Sequence, residues 1–172
     1  MGWALVFAAC SGGHSTATSP SAVSSSTAAS GSFAVASADL GSGRWPTNST
    51  CDGADDPPDL HWTGGPAAVS YALQVFDPDA PNGGFAHWML ANEPPNLREP
   101  TPGTGVSGKN DFGKEGYNGP CPPHGSTHHY VVTVYAVDRM LSLPLLYRHA
   151  DFERALQGRV LAEASLTATY GR

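Results

Sequence analysis

The stretch Val75–Trp88, VFDPDAPNGGFAHW, carries the end of one strand, a turn and the start of another. Upstream of it, AAVSYALQVFD alternates. Val69, Tyr71, Leu73 and Val75 face one way, and Ser70, Ala72, Gln74 and Phe76 the other, which predicts a strand with one strongly apolar face. Downstream, HWMLANEP is a short apolar run stopped by Pro94 and Pro95, as expected of a buried strand. Between them lie Asp77, Asp79 and His87, three polar groups at strand ends. They form either a well-capped turn, with Asp77 and Asp79 in Asx-turns and His87 as a satisfied core histidine, or one wall of a polar pocket.

The rest of the chain reads as mainly β. HHYVVTVYAVD, His128–Asp138, is the clearest strand, with β-branched and aromatic residues on both faces, so it belongs inside a sheet. HADFERAL predicts a short helix capped by Asp151, with Phe152, Ala155 and Leu156 inward and Gly158 interrupting it. From Ala164 to Tyr170, apolar residues alternate with Ser and Thr, predicting a last strand. The segment Gly108–Ser126 is too rich in Gly and Pro for regular structure, and a long loop of this kind is usually functional.

Composition narrows the function classes. The 172 residues suit one domain, and 20 glycines with 15 prolines favour a loop-rich β fold. The net charge is −6, and the nine basic residues form no run, which argues against a nucleic-acid partner. No stretch reaches the roughly 20 apolar residues of a membrane-spanning helix.

The N-terminal segment is of a different kind. MGWALVFAAC, residues 1–10, is an apolar run ending in small residues before Cys10, like a bacterial lipobox in which Cys10 would be lipidated. Residues 11–32 are almost wholly Ser, Thr, Ala and Gly, and predict a disordered tether. The folded domain is expected over 33–172. This arrangement implies a protein lipid-anchored on the extracytoplasmic face of a bacterial cell membrane. There Cys51 and Cys121 form an even pair in an oxidising compartment, so they read either as a disulfide or as two buried free thiols.

If the three strands are neighbours, Asp77, Asp79, His87 and His128 converge at one edge of the sheet, and GPCPP, Gly119–Pro123, supplies a rigid apolar wall. Carboxylates beside histidines orient the rings and favour the imidazolium, which donates hydrogen bonds to an anion. A phosphate or phosphate monoester is the expected guest. Metal binding by these four residues fits no ligand spacing, and no cofactor is implied. No G-x-S-x-G is present; a nucleophilic Cys121 or an Asp–His set remains as a hydrolase alternative.

Several motifs, in order, resemble the phosphatidylethanolamine-binding protein family, also called Raf-kinase-inhibitor-like proteins, in its bacterial branch. They are TCDGADDPPDLHW (Thr50–Trp62), DPDAP (Asp77–Pro81), HW at His87, FGKEGYNGPCPPHGSTHHY (Phe112–Tyr130) and LAEASLTATYGR at the C-terminus. The resemblance implies a large antiparallel sheet packed on a smaller one, with a short helical segment near the C-terminus. It implies a non-enzymatic binding protein with a small anion pocket for phosphate-bearing ligands or phospholipid headgroups. That pocket is carried to Asp77, Asp79, His87, Trp88, Pro122, Pro123, His128 and Tyr130. A homodimer is also implied. The alternative within the family is a protein-interaction module inhibiting a kinase or protease. His129 stands where the family often has Arg, which removes a permanent charge from the rim.

Overall fold

The computed structural model describes residues 1–3 and 31–172. Cys10 and nearly all of the Ser/Thr/Ala-rich tether lie outside the described residues. Two antiparallel sheets form the domain. The small one pairs β1 (Ala34–Ala36) with β2 (His61–Thr63). The large one has β3 (Ser70–Asp77) in the middle, with β4 (Phe85–Glu93) and β5 (Val106–Ser107) on one side. On the other side lie β6 (Thr127–Val137) and the long edge strand β7 (Val160–Gly171).

The alternation in β3 decides which residues enter which core. Tyr71, Leu73 and Val75 pack with Trp62, Trp88, Tyr130 and Val132 beneath the small sheet. Ala72 and Phe76 turn to the opposite face, against Met89, Tyr135, Tyr147 and Phe152. Both faces are therefore covered, which is why β3 and β6 are apolar on both sides. Fully buried Leu73 and Val75 each contribute about 1.5–3 kcal/mol by leaving water. Gln74 on the second face satisfies its amide with Tyr135 Oη and His149 Nε2.

One helix, α1 (His149–Leu156), covers that second face through Phe152 and Leu156. Asp151 is its third residue and not its N-cap. Its carboxylate reaches back to the N–H of Arg148 (3.3 Å), the acid half of a capping box. Gly158 follows the helix with φ +67° and does not interrupt it. β7 also begins earlier than the alternation suggests, at Val160, because strand pairing with β6 continues to Val137.

Candidate functional site

The turn after β3 is built around one carboxylate. Asp77 Oδ1 accepts the N–H groups of Asp79 (2.9 Å) and Ala80 (3.1 Å), an Asx-turn. Its other oxygen, Oδ2, lies 2.7 Å from His128 Nδ1 across the β3–β6 pair. Asp77 is thus both the capped turn and the pocket wall, the two readings its sequence left open. The pair is sheltered, with side-chain exposures of 5% for Asp77 and 14% for His128. Facing a carboxylate, Nδ1 of His128 carries a proton, and Nε2 is the ring nitrogen left for a guest.

His87 reaches the same pocket through a β-bulge. In the β3–β4 ladder Val75 pairs with Trp88, and Phe76 with Ala86, so His87 is the extra residue. Asp111 satisfies the backbone freed there, accepting from Ala86 N (2.7 Å) and donating its own N–H to Ala86 O. The His87 ring packs edge-on to Tyr130, 5.2 Å between centroids, and its Nδ1 donates to the carbonyls of Asn118 (2.9 Å) and Gly119 (3.1 Å). Two carbonyls on Nδ1 fix the tautomer, so Nε2 is a lone-pair acceptor. Carboxylates near histidines are expected to favour the imidazolium, but His87 goes the other way. Burial pushes its pKa below the ordinary histidine value, against the pull of those carbonyls and of Asp77.

That shift has a consequence for stability. A histidine held neutral by the fold contributes stability above its unfolded value of about 6.5, and loses it as pH falls through the lower folded value. Melting temperature should therefore drop as pH is lowered below about 6.5, beginning above the range of ordinary carboxylates. His87→Asn, whose amide can still donate to Asn118 O and Gly119 O, should flatten that slope; an unchanged slope would place the acid sensitivity elsewhere.

The loop that holds His87 is itself held. Asp55 accepts from Gly119 N and Asn118 Nδ2, both at 2.6 Å. Buried Asn110 donates to Asn118 Oδ1 and Gly116 O and accepts from Lys114 N. Gly119 must be glycine, since a Cβ there would collide with the Ser49 carbonyl. Cys51 and Cys121 are joined as a disulfide, Cα atoms 5.4 Å apart, which ties the GPCPP wall to the Thr50–Gly53 turn.

These elements enclose a pocket of about 230 Å3 lined by Asp77, His87, His128, Cys121, Pro122 and Pro123, with Phe85 and Phe112 at its aromatic side. Three residues expected in it are placed otherwise. Asp79 turns outward, its Oδ2 accepting from both N–H and Nδ1 of His129 at 2.7 Å. His129 is therefore paired with Asp79, and its backbone N–H is the main reason the Asp79 pKa lies below the usual value. Tyr130 lies behind the pocket; its hydroxyl is sealed from solvent with no partner among the described residues, and burial drives its pKa far upward. Trp88 lines a separate cavity, because the bulge sends His87 and Trp88 to the same face at different places. Asp55, Phe85, Asn110, Asp111, Phe112 and Asn118 are added to the site. For Asp55, Asn110, Asp111 and Asn118 the signal was the density of Asn, Asp and Gly in ADDPP and KNDFGKEGYNG, which marks a loop held by side-chain to backbone bonds; Phe85 and Phe112 carried no such signal.

Comparisons with known proteins agree on one relationship. The sequence profile of the phosphatidylethanolamine-binding protein family matches residues 39–171. A protein of Methanothermobacter thermautotrophicus designated UPF0098 is 43% identical over 140 residues, covering 76% of this chain and 92% of its own. A Mycobacterium tuberculosis protein whose name, LppC, designates a candidate lipoprotein is 35% identical, over 73% of this chain and 65% of its own. Among solved structures, Escherichia coli YbcL, described as a new member of the mammalian family, superposes with a TM-score of 0.76 at 30% identity, covering 83% of this chain and 99% of its own. A Chlamydia trachomatis homologue of the same family gives 0.75 at 32% identity, over 82% and 98%. With the large sheet, the small sheet and the DPDAP turn in place, the chain belongs to the phosphatidylethanolamine-binding protein family.

Proposed function

We propose that the protein is a non-enzymatic binding protein whose histidine pocket takes a phosphate-bearing small molecule or phospholipid headgroup. One observation carries this reading: two imidazoles line one small pocket with both Nδ1 atoms engaged by protein oxygens. Each therefore offers Nε2 to a guest. A phosphate monoester in its monoanionic form suits this pair best, because its P–OH donates to the neutral Nε2 of His87, whereas a phosphodiester headgroup would engage His128 alone. The monoester's remaining oxygens accept from His128 once that ring takes up a proton. Asp77 supplies the countercharge for that proton, so binding should be accompanied by proton uptake. Proline and aromatic walls exclude water and strengthen each polar contact.

A hydrolase using Cys121 is disfavoured, since its sulfur is bonded to Cys51 and holds no thiolate. We further propose that the domain is held at the extracytoplasmic membrane face by lipid on Cys10. The candidate lipoprotein LppC, 35% identical, supports this. Loss of labelled-palmitate incorporation in Cys10→Ala is the check, and an unlabelled wild type would end this part of the reading.

The pocket reading is tested by titrating the protein with phosphoethanolamine while following histidine ring signals by NMR. Shifts should be confined to His87 and His128 and saturate. His128→Ala, which removes one charge-assisted hydrogen bond of about 1.5–3 kcal/mol, should weaken binding roughly 10- to 100-fold without unfolding the domain. Absence of any shift at millimolar ligand would overturn the proposal and leave protein partners as the direction to pursue.

A further inference from the structure

The second cavity is larger than the histidine pocket, about 300 Å3, and shares no lining residue with it. Trp88 and Leu90 form its floor, and Pro57, Pro58, Pro100 and Pro102 its walls. Proline fixes its own φ, so four of them make a wall that loses little freedom on binding. The Pro100–Gly105 side is braced from behind. Thr104 Oγ1 lies 2.8 and 2.9 Å from the two oxygens of fully buried Glu93 and 2.7 Å from Thr101 O. Gly105, with φ +65°, has no room for a Cβ against Glu93 and Ala91. The cavity is preformed.

Its floor holds an unused donor. Trp45 Nε1 donates to Ser49 O and Tyr117 Oη, and Trp62 Nε1 is sealed in the core. Trp88 is 7% exposed, and its Nε1 is neither sealed nor matched to an acceptor among the described residues. The ring meets Tyr117 at 82°, 5.6 Å between centroids, and Trp88 lines the cavity. The charge around the cavity is one-sided. Glu99 stands exposed at the mouth without an ion-pair partner among the described residues. Asp59 also lines it, ionised and held by Ser37, Ala38 and Asp39. His61 is on the rim, and no Lys or Arg lines the cavity.

We propose that this cavity is a second ligand site, for a small cationic heteroaromatic molecule. A flat ring fits between the prolines and Trp88, a ring nitrogen or carbonyl accepts from Trp88 Nε1–H, and an ammonium group sits toward Glu99. A guest that displaces water from an indole N–H must replace its hydrogen bond, which is why the acceptor is required. The preference in charge is opposite to that of the histidine pocket, so the two sites take different molecules.

The test uses the full chain and the indole N–H signals of its four tryptophans, with the Trp88 signal identified from Trp88→Phe. The probe is 6-(aminomethyl)quinoline, and quinoline-6-carboxylate is its anionic match. The cationic probe should move the Trp88 signal downfield and saturably, with the carboxylate at least about ten-fold weaker. Glu99→Gln, an exposed change that leaves the fold alone, should weaken the cationic probe roughly two- to five-fold at low salt. A Trp88 signal unmoved at about 10 mM probe would overturn the site. So would equal binding of the carboxylate, or equal movement of all four indoles. Phosphoethanolamine shifts at His128 serve as the separate control, so failure here and failure of the phosphate reading are distinguishable.

Discussion

Removing the Cys51–Cys121 bridge, by Cys51→Ser with Cys121→Ser or by reduction, should destabilise the protein by about 2–4 kcal/mol. The bridge closes a separation of 70 residues, and cross-linking so long a loop withdraws much entropy from the unfolded chain. A domain of this size loses roughly 3–4 °C of melting temperature per kcal/mol, so a fall of about 6–16 °C is expected in thermal melts. The bridge also acts locally. Cys121 lines the histidine pocket, and its sulfur touches Arg172 Nη1 at 3.4 Å. Arg172 Nε in turn lies 2.9 Å from Asp52, so the bridge, the Asp52 turn and the end of β7 meet at one point. Phosphoethanolamine affinity should fall with the loosened wall. The opposing bond is the Asp55 clamp on Asn118 and Gly119, which survives reduction. A melting temperature within about 2 °C of wild type would mean that this clamp alone holds the wall and that the unfolded chain gains little from release.

The contrast between Asp77 and Asp79 shows how far the sequence could be read. Strand existence followed from period-2 alternation, and Tyr71, Leu73 and Val75 fell on one core as expected. The site was legible as a neighbourhood, since Asp77, His87 and His128 meet. Its orientations were not. Alternation places adjacent residues on opposite faces, and only a bulge, a property of two strands together, brings His87 and Trp88 to one side. Asp79 is two residues from Asp77, yet it follows the exposed backbone N–H of His129 outward. Nothing in DPDAP distinguishes the two carboxylates, because their difference lies in which β6 residue stands opposite. The helix cap failed for a related reason. Arg148 precedes the helix, and Asp151 can satisfy the same N–H from inside the first turn.

Asp77→Asn should weaken phosphate binding about ten-fold while leaving the fold nearly intact, and the comparison with Asp77→Ala explains why. Alanine leaves the N–H groups of Asp79 and Ala80 without their acceptor, which costs about 2–4 kcal/mol for two partly buried donors. It also frees the His128 ring, so lost binding in that variant mixes two causes. Asparagine keeps Oδ1 in the turn and places its amide NH2 against His128 Nδ1. Two donors cannot face each other, so Nδ1 must become the acceptor and Nε2–H the fixed tautomer. The ring still offers a hydrogen bond to a guest, but it can no longer take up a proton without breaking the contact with residue 77. The countercharge is gone as well. What remains is a neutral hydrogen bond where a charge-assisted one stood, a difference of about 1–1.5 kcal/mol. Calorimetric titration in buffers of different ionisation enthalpy separates the parts: wild type should take up a proton on binding phosphoethanolamine, and Asp77→Asn should take up markedly less. Equal affinity and equal proton uptake in the two proteins would mean that the proton goes to a group other than His128, either the phosphate itself or His87 against the pull of its burial.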